Sequence, residues 1–361
     1  SLRKEAAGAG AEKKMEVATA EHNLATVLLA QGVHDARVEE LCTRALEVKR
    51  EALGAESLEV AEVQMAMADL AMAQGRPLEA LERAQQVLAV LKQHLGSRHP
   101  LVAQQHMVLA SLFRSHAALE EAMLHAKDAL AARLNPSKTK NRRDVRPDGG
   151  WWLWGSGESG DVAVATSLEL VADLYAARNK PQRALDFELR ALVFRRTLAS
   201  APSNKSKLHL TSPRTGLFGE SWGQQSSRVG AREATPAVVR DGKPADTGGH
   251  AHAKRLLATS LVRAGKLARK VQRGQEGLGW LQEALELRRE VGEPTGVGEA
   301  LHEIGLQLWS LDRGGRAVET LEEALAVRRA ADGDSPGLAD TLSALAAGLW
   351  NQGRGAEALE K

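Results

Sequence analysis

Gly219-Glu220-Ser221-Trp222-Gly223 has the G-x-S-x-G spacing that presents a serine nucleophile on a strained strand-to-helix turn. The chemistry would be acyl transfer from Ser221, with Asp241 and His250 following in hydrolase chain order. The flanks argue against it. "LTSPRTGLF" before and "GQQSSRVGAR" after carry neither an apolar strand nor a helical stripe, so the motif reads as loop. Gly155, Gly157 and Gly160 make G-x-G-x-x-G, but the only candidate strand nearby is "WWLW", and Glu158 and Asp161 would repel a phosphate. His250 and His252 are two residues apart, which does not place them on one helix face, and no carboxylate or cysteine cluster joins them. The single cysteine, Cys42, excludes an internal disulfide framework and reads as a small core residue. The sequence therefore assigns no catalytic residue, no metal and no cofactor.

One further group could bind rather than react. Lys138, Lys140, Arg142, Arg143 and Arg146, opposed by Asp144, precede "WWLW". They read either as a solvated insertion whose tryptophans fold back onto helices, or as a segment that touches RNA, acidic lipid or an acidic peptide. The global charge favours no nucleic acid: Lys plus Arg number 48 against 46 Asp plus Glu, for a formal net charge of +2. No run approaches the ~18 apolar residues of a membrane-spanning helix.

The elements that would position any site are visible as a repeat of about 42 residues. Residues 17–54 align with 60–96, pairing Ala18 with Ala61 and Gly32 with Gly75. Further units start at Val102, Val164 and Val297, a less regular one ends at "WLQEALELRREVG", and a last one starts at Leu338. Each unit shows two stripes at i, i+3, i+4, i+7 spacing. In the sixth these are Leu301, Ile304, Gly305 and Leu308, then Ala317, Leu321, Ala324 and Leu325. With aromatics at 3% and Ala and Leu dominant, this predicts an all-α chain of helix pairs packed through small side chains.

The joints agree with that division. Gly54, Gly96, Gly292 and Gly333 sit just past second helices, Pro100, Pro294 and Pro336 follow, and Ser335 reads as an N-cap. The expected layout is a linker or end of a preceding element at 1–16, units 1–3 at 17–134, and a basic, Gly- and Trp-bearing insertion at 135–160. Unit 4 follows at 161–198, then a Gly/Ser/Pro-rich insertion at 199–250 that reads as disordered, and units 5–7 at 251–361 with the last truncated.

These units resemble tetratricopeptide repeats, in the long form of kinesin light chains. Val60-Ala61, Gly75, Ala80, Leu95-Gly96 and His99-Pro100 carry the pattern best. The resemblance implies a right-handed α-solenoid of antiparallel helix pairs, interrupted by two long irregular insertions, with first helices lining a concave groove. It also implies which first-helix positions face that groove. They give His22 and Leu29, then Glu62, Met65, Asp69 and Met72, then Met107 and Arg114. In the later units they give Glu299, His302 and Trp309, then Asp340 and Trp350. Trp309 and Trp350, one repeat apart, are expected side by side as anchors, while Glu62, Asp69, Glu299 and Asp340 favour basic partners. The expected function is a non-enzymatic, intracellular and cytoplasmic scaffold for a protein or peptide partner. The alternative is the sensor array of a larger signalling NTPase or protease whose catalytic domain lies outside this sequence.

Overall fold

The computed structural model describes residues 2–135, 160–200, 247–332 and 336–359. These residues form helices α1 (Leu2–Ala30), α2 (Ala36–Leu53), α3 (Leu58–Ala73), α4 (Pro77–Leu95), α5 (Pro100–Ser115), α6 (Leu119–Leu134) and α7 (Gly160–Ala177). They continue with α8 (Pro181–Ser200), α9 (Thr247–Lys270), α10 (Gly274–Val291), α11 (Pro294–Ser310), α12 (Gly314–Asp332), α13 (Pro336–Asn351) and α14 (Gly355–Leu359). Each helix packs on the next, including α6 on α7 and α8 on α9, so seven helix pairs stack into one solenoid.

Every pair turns the same way. The last residue pair of each first helix closes a Schellman motif, in which one residue takes φ > 0 and the next donates its N–H back to the carbonyl five residues earlier. These bonds run from Val33 to Leu28, Arg76 to Ala71, Ala118 to Phe113, Lys180 to Tyr175, Arg273 to Ala268, Arg313 to Leu308 and Arg354 to Leu349, at 2.8–3.0 Å. The left-handed residue is Gly32, Gly75 and Gly353 in three units, and Ala117, Asn179, Gln272 and Asp312 in the others. A non-glycine residue there costs roughly 1–2 kcal/mol. Glycine relieves that cost but loses about 0.5–1 kcal/mol of unfolded-state entropy. Ala117 has no polar side chain to compensate, so Ala117→Gly is expected to stabilise the protein by about 0.5–1 kcal/mol. A urea midpoint that stays put or falls would refute this reading of the turn.

Starts are set by local chemistry. Asp35 Oδ1 accepts from the N–H groups of Arg37 and Val38 at 3.1 and 3.2 Å, and Ser57 Oγ accepts from Val60 N at 3.3 Å. Proline opens α4, α5 and α11, where its missing N–H costs nothing. Gly292 is a left-handed cap as expected, whereas Gly54 and Gly96 turn the chain at φ 87° and 80° with ψ near 160°, a region closed to side chains. Gly333 and Ser335 lie outside the described residues.

Four boundaries differ from the sequence reading. Residues 2–16 are not a linker but the first turns of α1, continuous with unit 1 because nothing in "RKEAAGAGAEKK" stops a helix. Helix α8 runs to Ser200, and α9 begins at Thr247, inside the span read as insertion. Gly160 opens α7.

Pairs interlock through one small residue, seven positions before the turn residue: Ala25, Ala68, Ala110, Ala172, Gly265, Gly305 and Ala346. At Gly305 and Gly265 a Cβ would lie 2.6 Å from Leu321 and Leu281 of the following helix. Buried leucines such as Leu70, Leu109, Leu174, Leu261, Leu301 and Leu345 fill the layers between.

A basic residue near the end of most second helices ties one unit to another. Arg133 donates to Ala163 O at 2.5 Å and Ser167 Oγ at 2.8 Å on α7, and Arg288 donates to Gly296 O at 2.6 Å on α11. Arg328 reaches Gly337 O and, at 2.7 Å, Thr341 Oγ1 on α13. Unit 2 has buried Leu91 there instead. A guanidinium can occupy this interior because backbone carbonyls and hydroxyls satisfy part of its fixed fork of donors, although Arg288 Nε is buried without a partner.

Candidate functional site

Among the described residues first helices approach one another, α1 touching α3, α9 touching α11 and α11 touching α13, while successive second helices are bridged through long side chains, as in Arg196–Glu283 and Arg289–Glu323. The first helices thus line the inner side of the curve. The groove positions lie 13, 10, 6 and 3 residues before each turn residue, and two chemically different stretches appear along them.

In units 1–3 these positions are Thr19, His22, Thr26 and Leu29, then Glu62, Met65, Asp69 and Met72, then Gln104, Met107, Ser111 and Arg114. Met72 is exposed, Met107, Asp69 and Leu29 are half-buried, and Met65 is buried. His22 is also buried: its Nδ1 lies 3.4 Å from Lys49 Nζ, and its Nε2 has no partner. Burial, then the Lys49 charge, holds its imidazole down to about 4, so it is neutral near pH 7. Thr26 Oγ1 returns its proton to His22 O at 2.9 Å.

Units 4–6 are different. Arg263 on α9 donates to Glu188 at 3.0–3.2 Å and to Asp173 Oδ1 at 2.7 Å, and Asp173 also accepts from Arg114 at 3.3 Å. Arg195 grips both oxygens of Glu169 at 2.8 Å, and Ser260 Oγ donates to the same carboxylate at 2.7 Å. Lys266 pairs with Glu299 at 3.0 Å and Glu303 at 3.4 Å, Arg269 pairs with Glu303 at 3.0 Å, and Arg288 reaches Glu299 at 2.9 Å. Burial opposes the Glu299 charge, yet Lys266 and Arg288 together hold its carboxyl below the ordinary value. The groove charges of these units are spent on holding first helices together.

Other residues expected in the groove have structural surroundings too. His302 is buried with Nδ1 3.3 Å from Thr341 Oγ1, and burial keeps its imidazole low. Trp309 is half-buried, its ring filling the space over Gly348 of α13 where any Cβ would collide with it. Trp350 is 64% exposed at the end of α13, and Asp340 is exposed. The two tryptophans therefore sit in unlike environments: one is packing between units and the other faces solvent.

Glu169, Asp173, Arg263, Lys266 and Arg269 were not picked out by sequence reasoning. Their signal is the 41- and 40-residue steps between the turn residues Gln272, Asp312 and Gly353, which set the register of α9 that its irregular sequence hides.

Elsewhere, His106 and His125 face each other with Nδ1 atoms 2.9 Å apart, so one imidazole donates to the other, and Phe113 stacks on His125. Burial is the first cause that lowers both. Among the described residues no group of three or more His, Cys, Asp or Glu is placed to hold a metal ion, and no helix is long and apolar enough to cross a membrane. His250 and His252 lie on α9, half-buried and exposed. Ser221 with its glycines, Gly155, Gly157, Asp241, the 138–146 basic cluster and "WWLW" lie outside the described residues.

Residues 16–93 match the family model of the tetratricopeptide repeat. No curated protein matches the chain. Among solved structures, it is similar to a signal transduction ATPase with numerous domains and a tetratricopeptide repeat sensor from Pyrococcus horikoshii, at 11% identity and TM-score 0.59. That match covers 97% of this chain and 42% of the ATPase. Aspartyl phosphate phosphatase F from Bacillus subtilis is similar at 11% identity and TM-score 0.56, covering 99% of this chain and 72% of that one. Nearly identical TPR-like repeats assigned to a kinesin light chain of Podosopora anserina match at 16% identity and TM-score 0.47, covering 78% and 98%. A helix-pair unit of about 42 residues recurs through the described residues with each pair closed by the same turn, so the chain has a tetratricopeptide-repeat fold, and residues 16–93 match that family's model.

Proposed function

We propose that this chain is a non-enzymatic protein-protein interaction scaffold that binds a partner peptide through the concave groove, with units 1–3 as the recognition stretch. The observation that carries this reading is the contrast along the groove: units 4–6 spend their charges on each other, while units 1–3 present the exposed Met72 with the half-buried Leu29 and Met107, over a buried Met65. Methionine adapts its shape to different ligand side chains, which suits a peptide site. A largely preformed helical surface limits the ordering cost, and a short peptide should bind with Kd about 1 μM, roughly −8 kcal/mol. A cytoplasmic setting is part of the same proposal; the lone thiol, Cys42, is buried and pushed up to about 11 by that burial, which leaves it inert.

A second reading has one observation in its favour. The likeness to the Pyrococcus horikoshii ATPase spans nearly all of this chain and under half of that protein, so an array like this one can be the sensor part of a larger signalling enzyme. Groove binding is common to both readings.

The test uses a displayed library of random peptides selected on the full chain. A selected peptide should lose about tenfold or more in affinity for Met72→Ala/Met107→Ala at unchanged helicity. Selected peptides that bind the double variant equally well would move recognition off this groove.

A further inference from the structure

Resting on the groove reading above, we propose that Asp69 seats a basic side chain, Arg or Lys, of the partner peptide, with the exposed Met72 beside its aliphatic stem. Among the groove carboxylates, Glu169 and Asp173 are held by Arg195 and Arg263, and Glu299 and Glu303 are held by Lys266, Arg288 and Arg269. Glu62 has a partner as well, and Asp340 is exposed to water. Asp69 is half-buried in mid-helix on α3 and makes no hydrogen bond or ion pair with any described residue.

Cations of neighbouring elements are committed elsewhere. Arg76 pairs with Glu39 and Glu79, Arg83 with Glu79 and Gln64, and Arg114 with Asp173. The same groove position holds Thr26 in unit 1 and Ser111 in unit 3, so no charge on the adjoining first helices answers that of Asp69. Its carboxyl is pushed up to about 7 by burial alone. An uncompensated desolvation of this kind is relieved by an incoming cation.

The surroundings select what kind of cation fits. Met65 and Met72 lie four residues before and three after Asp69, on the same helical face. Met65 is buried and Met72 is exposed, so one thioether lies open beside the carboxylate and matches a long side chain with an apolar stem and a charged tip, which is the shape of Lys or Arg. A hydrated metal ion finds no second carboxylate there.

The experiment selects a displayed random peptide library on the full chain and on Asp69→Asn. Wild-type selection should fix Arg or Lys at one peptide position. Changing that residue to Gln should weaken binding to the wild type about tenfold or more, and leave binding to Asp69→Asn nearly unchanged. Asp69→Ser, which installs the residue type that unit 3 carries at this register, serves as a second variant with an independent route to a folded array. Peptides lost on Met72→Ala/Met107→Ala but showing no coupling to Asp69 would overturn this inference and leave the groove reading standing. Peptides indifferent to both sets of changes, or no enriched peptides, would overturn both.

Discussion

Arg263→Ala is expected to destabilise the middle of the array by about 3–5 kcal/mol, because it leaves the carboxylate of Glu188 buried without its partner. The Glu188 side chain is 0% exposed, and Arg263 supplies donors at 3.0–3.2 Å. The Asp173 arm of the same guanidinium is 39% exposed and worth much less, since solvent screens it. In units 5 and 6 the register of Glu188 holds Leu281 and Leu321, so the cost can be removed as well as imposed. Glu188→Leu combined with Arg263→Leu should recover to within roughly 1 kcal/mol of the parent or exceed it, as buried ion pairs replaced by apolar residues often do.

The pH dependence carries a sign. Burial already pushes the Glu188 carboxyl up to about 7 against the pull of Arg263. Without Arg263 the folded value rises further above the ordinary 4.5, so the folded state holds the proton more tightly than the unfolded chain. The stability of the variant is then full below the unfolded value and is lost as pH rises through the folded one. Chemical denaturation should show a deficit that is small near pH ~5 and largest near pH ~8. A deficit that is flat over that window, or a double leucine variant no more stable than Arg263→Ala, would mean that Glu188 is not the buried charge at stake.

Leu321→Ala is expected to cost about 2–5 kcal/mol, and Gly305→Ala about 1–3 kcal/mol, while the double variant should cost clearly less than their sum. The single changes fail in opposite ways. Removing the Leu321 side chain, which is fully buried, opens a cavity, whereas a Cβ on Gly305 would sit 2.6 Å from Leu321 Cγ. Units 2 and 3 show the alternative solution at the same register, with Ala68 and Ala110 on first helices and buried Ala84 and Ala126 on second helices. In units 2, 3, 5 and 6 glycine goes with leucine and alanine goes with alanine, so the pair conserves volume across the helix contact. Thermal unfolding of the four proteins gives the coupling. Additive costs would show that the two positions do not share one space, and would break the register assigned to unit 6.

The sequence by itself determined the number and kind of elements, because amphipathic period, proline starts and the repeat spacing are local chemistry that each unit states again. Helices α3 and α5 open four residues past Gly54 and Gly96, α11 opens two past Gly292, and Gly32 and Gly75 mark the turns that follow α1 and α3. It also placed Met65 and Met72 on one helix face with Asp69, since a period fixes which residues share a face. What it did not determine is which groove residues are free. Glu299 and Asp69 look alike as lone carboxylates in a helix, and only stacking brings Lys266 and Arg288 to one and no cation to the other. The same holds for Trp309 and Trp350, identical in register, one roofed by α13 and the other open to solvent. Partner choice of this kind depends on side chains 11 to 34 positions away, meeting across units in ways that no local pattern encodes, and so it was left to the tertiary structure.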